Sequence, residues 1–325
     1  MSDGEWRQTR LGDLSNSVDG VTFHLTFEGD RMTDAEPIGP ELIRPELIWD
    51  VQAELGEGPV WDAGRRAVWF VDIKGRKLHR YSVDDGAKAS WDTPDQTGFA
   101  LPAVDGSLVC GVRGGLHRFD PDTGAFDMIV EVERDRPQNR LNDGFVSPDG
   151  ALWFGSMDDS EDTVSGALYC FRDGVVSRHD DGYRVTNGPA LSPDGRTLYH
   201  HDTTKRRIFA FDHHDGRLTN KRPFAETSDG FADGPSVDSA GVLHVGLFNG
   251  WGIAQFSPSG ERIGTIRLPV QTVTKGAFAG DDLRDLYCTT AWLNNADKRE
   301  AQPTLGGLYR VRVQTPGLPQ ALVKL

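Results

Sequence analysis

Three short segments place an oxygen-bearing side chain directly before Gly-Pro: Glu57-Gly58-Pro59, Asn187-Gly188-Pro189 and Asp233-Gly234-Pro235. Together Glu57, Asn187 and Asp233 offer oxygen donors with two formal negative charges. That set suits one hard divalent cation, Ca²⁺, Mg²⁺, Mn²⁺ or Zn²⁺, with water completing the shell. The plainer alternative is that these are turn formers whose side chains bond their own backbone. Repeated turns explain the Gly and the Pro, but not an oxygen donor each time. A fourth segment, Asn139-Arg140-Leu141-Asn142-Asp143-Gly144, also sets polar residues among apolar neighbours. Histidine offers less: His200-His201 follow Tyr199 in a strand-like run, with one ring expected on each face, and His213-His214 sit at an outer turn. No Ser elbow of the GxSxG kind and no Cys-His dyad occurs, so covalent catalysis is not indicated.

Residues so far apart can meet only if the fold brings them to one place, and a repeat along the chain predicts how. Polar turns carrying Asp or Gly recur, each followed by a short apolar run of strand propensity, as in Ser147-Pro148-Asp149-Gly150-Ala151-Leu152-Trp153-Phe154 and Ser192-Pro193-Asp194-Gly195-Arg196-Thr197-Leu198-Tyr199. Leu108, Leu152, Leu198, Leu243 and Leu286 lie 44, 46, 45 and 43 residues apart, and Val68 precedes Leu108 by 40. That period, with several short strands per unit, predicts an all-β protein, a six-bladed β-propeller. Outer strands are expected at Gly115–Asp120, Gly166–Phe171, Arg207–Asp212, Gly252–Phe256 and Gly306–Val311. The ring must close, because an open ring leaves an unpaired edge. Leu47–Trp49 is the natural strand to complete the blade that ends near Leu325. Residues 1–45 lie outside the ladder and read as an N-terminal extension packed on or flanking the propeller domain of 46–325. In the extension Thr22–Phe27 is a candidate strand and Pro37–Pro45 a connector. Loops at one end of a propeller channel converge, which is where the polar segments would gather.

The totals narrow the partners. Forty-nine acidic against 35 basic residues give a net charge of -14 over 325 residues. That balance argues against nucleic acid or an anionic membrane as partner. Three distant cysteines, Cys110, Cys170 and Cys288, form no CxxC and suit a reducing, cytoplasmic setting. The N-terminus does not read as a signal peptide, and no run approaches the ~18 apolar residues of a membrane span. A monomer or small homo-oligomer is expected.

On these residues the chain resembles the senescence marker protein/gluconolactonase/regucalcin-like family of six-bladed propellers. The resemblance covers about Leu47 to Val313. It rests on Gly56-Glu57-Gly58-Pro59-Val60-Trp61, Phe70-Val71-Asp72-Ile73, Asn139–Gly144, Trp153-Phe154-Gly155-Ser156-Met157 and Thr186-Asn187-Gly188. It continues through Asp202-Thr203, Phe231-Ala232-Asp233-Gly234, Ala277-Phe278-Ala279-Gly280 and Leu286-Tyr287-Cys288-Thr289-Thr290-Ala291.

The resemblance implies that Glu57, Asn187 and Asp233 hold one divalent cation in the channel mouth. It also implies that Arg140 and Asn142 contact the substrate and that Asp233 is the general base. The activity implied is hydrolysis of a sugar-acid lactone, such as a glucono-, xylono- or arabinonolactone, by metal-activated water. Arg140 would pair with ring hydroxyls or the emerging carboxylate. An organophosphate or aryl-ester hydrolase on the same scaffold, or a non-catalytic Ca²⁺-binding regulatory propeller, would keep the same cation ligands. Arg140 and Asn142 favour the lactonase, since a polyol needs such donors. The chain departs from the family at Val273-Thr274-Lys275-Gly276, a segment where many relatives have a small residue, often Ser or Asn with Cys following. Lys275 is expected to point to solvent from a surface turn, and the acidic Ser156–Glu161 to be a solvated loop.

Overall fold

The computed structural model describes residues 44–325 throughout and, before them, strand backbone at 7–10, 13–18, 21–28 and 31–32. The chain divides into two units, Met1–Arg44 and Pro45–Leu325. The first contains a four-stranded antiparallel meander, Arg7–Arg10, Asp13–Val18, Val21–Glu28 and Arg31–Met32. Its third strand contains the predicted Thr22–Phe27. The connector expected over Pro37–Pro45 lies outside the described residues up to position 43.

Pro45–Leu325 folds as six four-stranded antiparallel blades, so the six-bladed propeller read from the repeat is the observed fold. The innermost strands are Gly56–Asp62, Thr97–Pro102, Asn139–Val146, Thr186–Leu191, Phe231–Val237 and Val273–Ala279, in blades 1 to 6. The apolar ladder of Val68, Leu108, Leu152, Leu198, Leu243 and Leu286 falls on the second strand of every blade. All six of these side chains are fully buried. The runs expected as outer strands are third strands. A fourth, more polar strand, such as Lys88–Asp92 with alternating exposure, lies outside each of blades 1 to 5. Its alternation is what a sheet with one solvated edge requires.

The ring closes as expected. Glu46–Trp49 pairs antiparallel with Leu308–Arg312 in the register Leu308↔Trp49 and Tyr309↔Leu47. Trp49 then packs edge-on against Phe70 and His79 of blade 1, at centroid separations of 5.6 and 5.3 Å. Trp69 and Trp153 are fully buried, and truncating either to Ala would cost about 3–5 kcal/mol by the usual core scale. Beyond the last blade the chain crosses the far end of the channel. Val323 N–H donates to Pro102 O, and Lys324 N–H donates to Gly150 O.

One local feature governs the interior. Every innermost strand breaks register in its middle: Glu57/Val60, Thr97/Ala100, Leu141/Gly144, Asn187/Ala190, Ala232/Pro235 and Val273/Lys275. The three Gly-Pro motifs are therefore bulges inside buried strands, not turns. A bulge tolerates proline because the ladder is already interrupted there, and it re-aims the neighbouring side chains. Gly58 and Gly188 take φ of 54° and 87°, a conformation in which a Cβ is strained.

Candidate active site

The bulges aim polar side chains from different blades into one cavity of about 230 Å³ at the mouth formed by the starts of the innermost strands. Glu57, Arg140, Asn142, Asn187 and Asp233 all line it. All five are buried. A larger cavity of about 430 Å³ opens at the other end of the same strands, lined by residues such as Trp61, Val146, Leu191, Val237 and Phe278. Among the described residues Lys275 is its sole ionisable lining residue, whereas Glu57, Arg140, Glu161 and Asp233 gather in the smaller cavity.

Glu57 comes from blade 1. Its approach is fixed by Asp72, whose carboxylate accepts the Glu54 and Leu55 amides, both at 3.0 Å. Glu57 Oε2 accepts from Gly58 N–H at 2.8 Å. Asp233, from blade 5, lines the same cavity. Burial, then the nearby Asp143 charge, push Glu57 up to about 7, against the opposing Gly58 amide and Lys275 ammonium. Burial and the proximity of Glu57 hold the Asp233 carboxyl well above the ordinary range. The effect between the two is one-sided: Glu57 raises Asp233, whereas Asp233 works to lower Glu57.

Asn187, from blade 4, donates from Nδ2 to Thr203 Oγ1 at 2.9 Å and accepts on Oδ1 from Asn142 Nδ2 at 3.0 Å. Thr203 also donates to Ala232 O at 2.7 Å, which ties Asn187 to the strand bearing Asp233. Arg140 donates from Nε to Asp159 Oδ1 at 2.9 Å and from Nη1 to Asn142 Oδ1. Its Nη2 has no protein partner among the described residues. Asp159 gathers Lys74, Arg113 and Arg140 at 2.6, 2.8 and 2.9 Å. Burial works to raise the Asp159 carboxyl, but Lys74 and Arg140 outweigh it and hold it well below the usual range.

Two expectations are corrected. Lys275 does not reach solvent from a turn: it is buried in the innermost strand of blade 6, and its Nζ lies 2.5 Å from Asp143 Oδ1. The Ser156–Glu161 segment is not simply a solvated loop. Asp158 is buried, with Ser160 and Thr163 donating to it, Asp159 braces Arg140, and Glu161 lines the cavity. Sequence reasoning missed Asp143, Asp159 and Thr203 as parts of the site. All three stood inside segments already singled out, Asn139–Gly144, Ser156–Glu161 and Asp202-Thr203, but no local pattern gave them a role in the site.

His200 and His201 are both fully buried. His201 Nδ1–H donates to Asp233 O at 2.8 Å, so the ring braces the backbone of the acid rather than adding a ligand. Burial lowers it to about 3, which keeps it neutral.

Among the described residues no three His, Cys, Asp or Glu side chains cluster to hold a metal. The candidate donor set is two carboxylates and one amide, all oxygen. It fits a hard divalent cation, because Glu57 and Asp233 are crowded and strained toward protonation, and a cation would relieve that repulsion.

Comparison with known proteins identifies a family. Residues 55–292 match the family model described as SMP-30/Gluconolactonase/LRE-like region. Regucalcin of Danio rerio is 33% identical over 83% of this chain and 94% of its own length. The 6-deoxy-6-sulfogluconolactonase of Pseudomonas putida is 30% identical over 82% and 94%. The crystal structure of a calcium-binding protein, regucalcin, from Agrobacterium tumefaciens str. C58 superposes with a TM-score of 0.84. It is 27% identical and covers 87% of this chain and 98% of that one.

Proposed function

The chain belongs to the SMP-30/gluconolactonase/LRE-like family, and from that premise we propose that it hydrolyses a sugar-acid lactone to the free acid in the cavity between Glu57 and Arg140. The observation that carries the reading is the buried Glu57–Asp233 carboxyl pair facing Arg140, Asn142 and Asn187 across about 230 Å³. That space suits a small polyol ring rather than an extended polymer. The lactonase relative supports the same class of reaction.

In this reading Glu57, Asn187 and Asp233 hold one divalent cation. When bound, such an ion supplies Lewis acidity toward the lactone carbonyl. Asp233 takes a proton from the attacking water. That step needs the ionised carboxylate, the form that a cation bound beside it would favour. Water adds to the carbonyl carbon, the ring C–O bond breaks, and the proton held at Asp233 passes to the departing hydroxyl. Arg140, braced by Asp159, presents Nη2 to a ring hydroxyl or to the carboxylate that emerges. Asn142 spends its Nδ2 hydrogens on Thr186 O and Asn187 Oδ1 and accepts from Arg140, so it meets the polyol through the remaining lone pair of Oδ1.

A pH-indicator assay over glucono-, xylono-, arabino- and galactonolactones tests the reading, with chelator-treated protein given Ca²⁺, Mg²⁺, Mn²⁺ or Zn²⁺. Catalysed acid release with at least one pair is expected. No rate above the spontaneous one for any pair would overturn it.

A further inference from the structure

Lys275 is a buried lysine in the innermost strand of blade 6, and its surroundings show what it does there. The lysine stem runs against Gly234. A Cβ there would fall 2.6 Å from Lys275 Cδ, so the glycine after Asp233 makes room for it. At its end Nζ meets Asp143 Oδ1 at 2.5 Å. Asp143 also accepts from Gly144 N–H at 2.8 Å and from Gly188 N–H, next to Asn187, at 3.0 Å. Both partners are buried. The Asp143 charge bears on Glu57 and Asp233, and the Lys275 charge opposes it at Glu57. Three buried carboxyls and one ammonium leave two negative charges, which a single divalent ion neutralises. Without the lysine there would be three.

We propose that the Lys275–Asp143 ion pair is an internal counter-charge that sets how tightly the Glu57–Asn187–Asp233 centre holds its cation, Lys275 weakening and Asp143 strengthening the hold. The inference rests on the cation centre proposed above.

The test is calorimetric titration of Mn²⁺ alone into chelator-stripped protein at pH 8.5, comparing wild type, Lys275→Met, Asp143→Asn and the double variant. A buried unit charge within several ångströms is worth about ten- to a hundredfold in affinity for a divalent ion. Lys275→Met should therefore bind Mn²⁺ tighter by that factor and Asp143→Asn weaker by a similar one. The charge-balanced double variant should return to within about threefold of wild type. A pair that merely props up the strands would weaken binding in both single variants, and that pattern overturns the proposal, as does unchanged affinity in Lys275→Met. Should Lys275→Met fail to fold, Asp143→Asn and the double variant still decide. Equal affinity in those two, or no loss in Asp143→Asn, refutes the proposal. Absence of Mn²⁺ binding by wild type would remove the cation centre, and this inference with it; wild-type binding with a flat variant series removes the inference alone.

Discussion

Replacing Asp233 by Asn should cost activity and add stability at once. The amide keeps the shape of the carboxyl and one oxygen for a cation, but it cannot accept a proton from water. Turnover should fall by about two to four decades, the usual contribution of a positioned acid–base group. The stability change follows from the strain in the pair. Glu57 is carried from 4.5 to about 7, and Asp233 is displaced in the same direction. An acid whose folded pKa is raised destabilises the fold once pH exceeds its unfolded value, and the cost is complete above the folded one. For Glu57 that is about 3 kcal/mol at pH 8, and it stays in the variant because burial and Asp143 cause it; the cost at Asp233 itself is the part that the substitution removes. The Asp233→Asn substitution would remove one charge, and its new amide could donate to Glu57. The metal-free protein should therefore gain about 1–3 kcal/mol, or roughly 2–5 °C in Tm for a unit of this size. Thermal unfolding of chelator-treated protein at pH 8 and initial rates on the preferred lactone give the two readouts. Near-wild-type turnover at saturating metal would exclude Asp233 as the base. A metal-free variant less stable than wild type would show that the carboxyl pair is not strained.

Arg140→Ala should raise KM at least tenfold with little change in kcat if the guanidinium only holds substrate; an equal fall in kcat and kcat/KM would show that it acts in the transition state. Chelation should leave the far-UV circular dichroism unchanged, because closure through Glu46–Trp49 and core burial need no ion; collapse of the signal would make the metal structural. His79, buried between Trp49, Phe70 and Ser90, is lowered to about 4, chiefly by burial, with Asp72 opposing and Lys77 assisting. The unfolded chain therefore binds a proton that the folded one refuses from about pH 6.5 downward, and stability falls with pH by about 2 kcal/mol at pH 5. His79→Gln should flatten that slope in denaturation curves between pH 7 and 5, and an unchanged slope would refute the assignment.

Much of the ring was legible because its signals are local. The ladder from Val68 to Leu286 marks second strands through turn chemistry and strand propensity, and the lone strand at Leu47–Trp49 has no partner except the open edge at Leu308. The expected metal and substrate residues share one cavity because each lies at or just before a bulge of an innermost strand. The bulges themselves were not legible. Gly-Pro reads as a turn, and only the tertiary ring holds it inside a strand. Lys275 escapes a local reading for the same reason: the register break at Val273/Lys275 and the missing side chain of Gly234 admit a long stem to the interior. Asp159 gains its role from Lys74 and Arg113, which reach it from blades 1 and 2, a pairing that no local pattern encodes.

The most direct measurement is a crystal structure of the protein soaked with Mn²⁺ and a hydrolytically inert lactam analogue of its preferred lactone. One ion should have oxygens of Glu57, Asn187 and Asp233 at about 2.0–2.6 Å, with the analogue's ring carbonyl beside it and Arg140 and Asn142 on its hydroxyls. An analogue seated instead in the 430 Å³ cavity at the far end of the channel, or ligand oxygens more than about 6 Å apart, too far for one ion to bridge, would contradict the assignment.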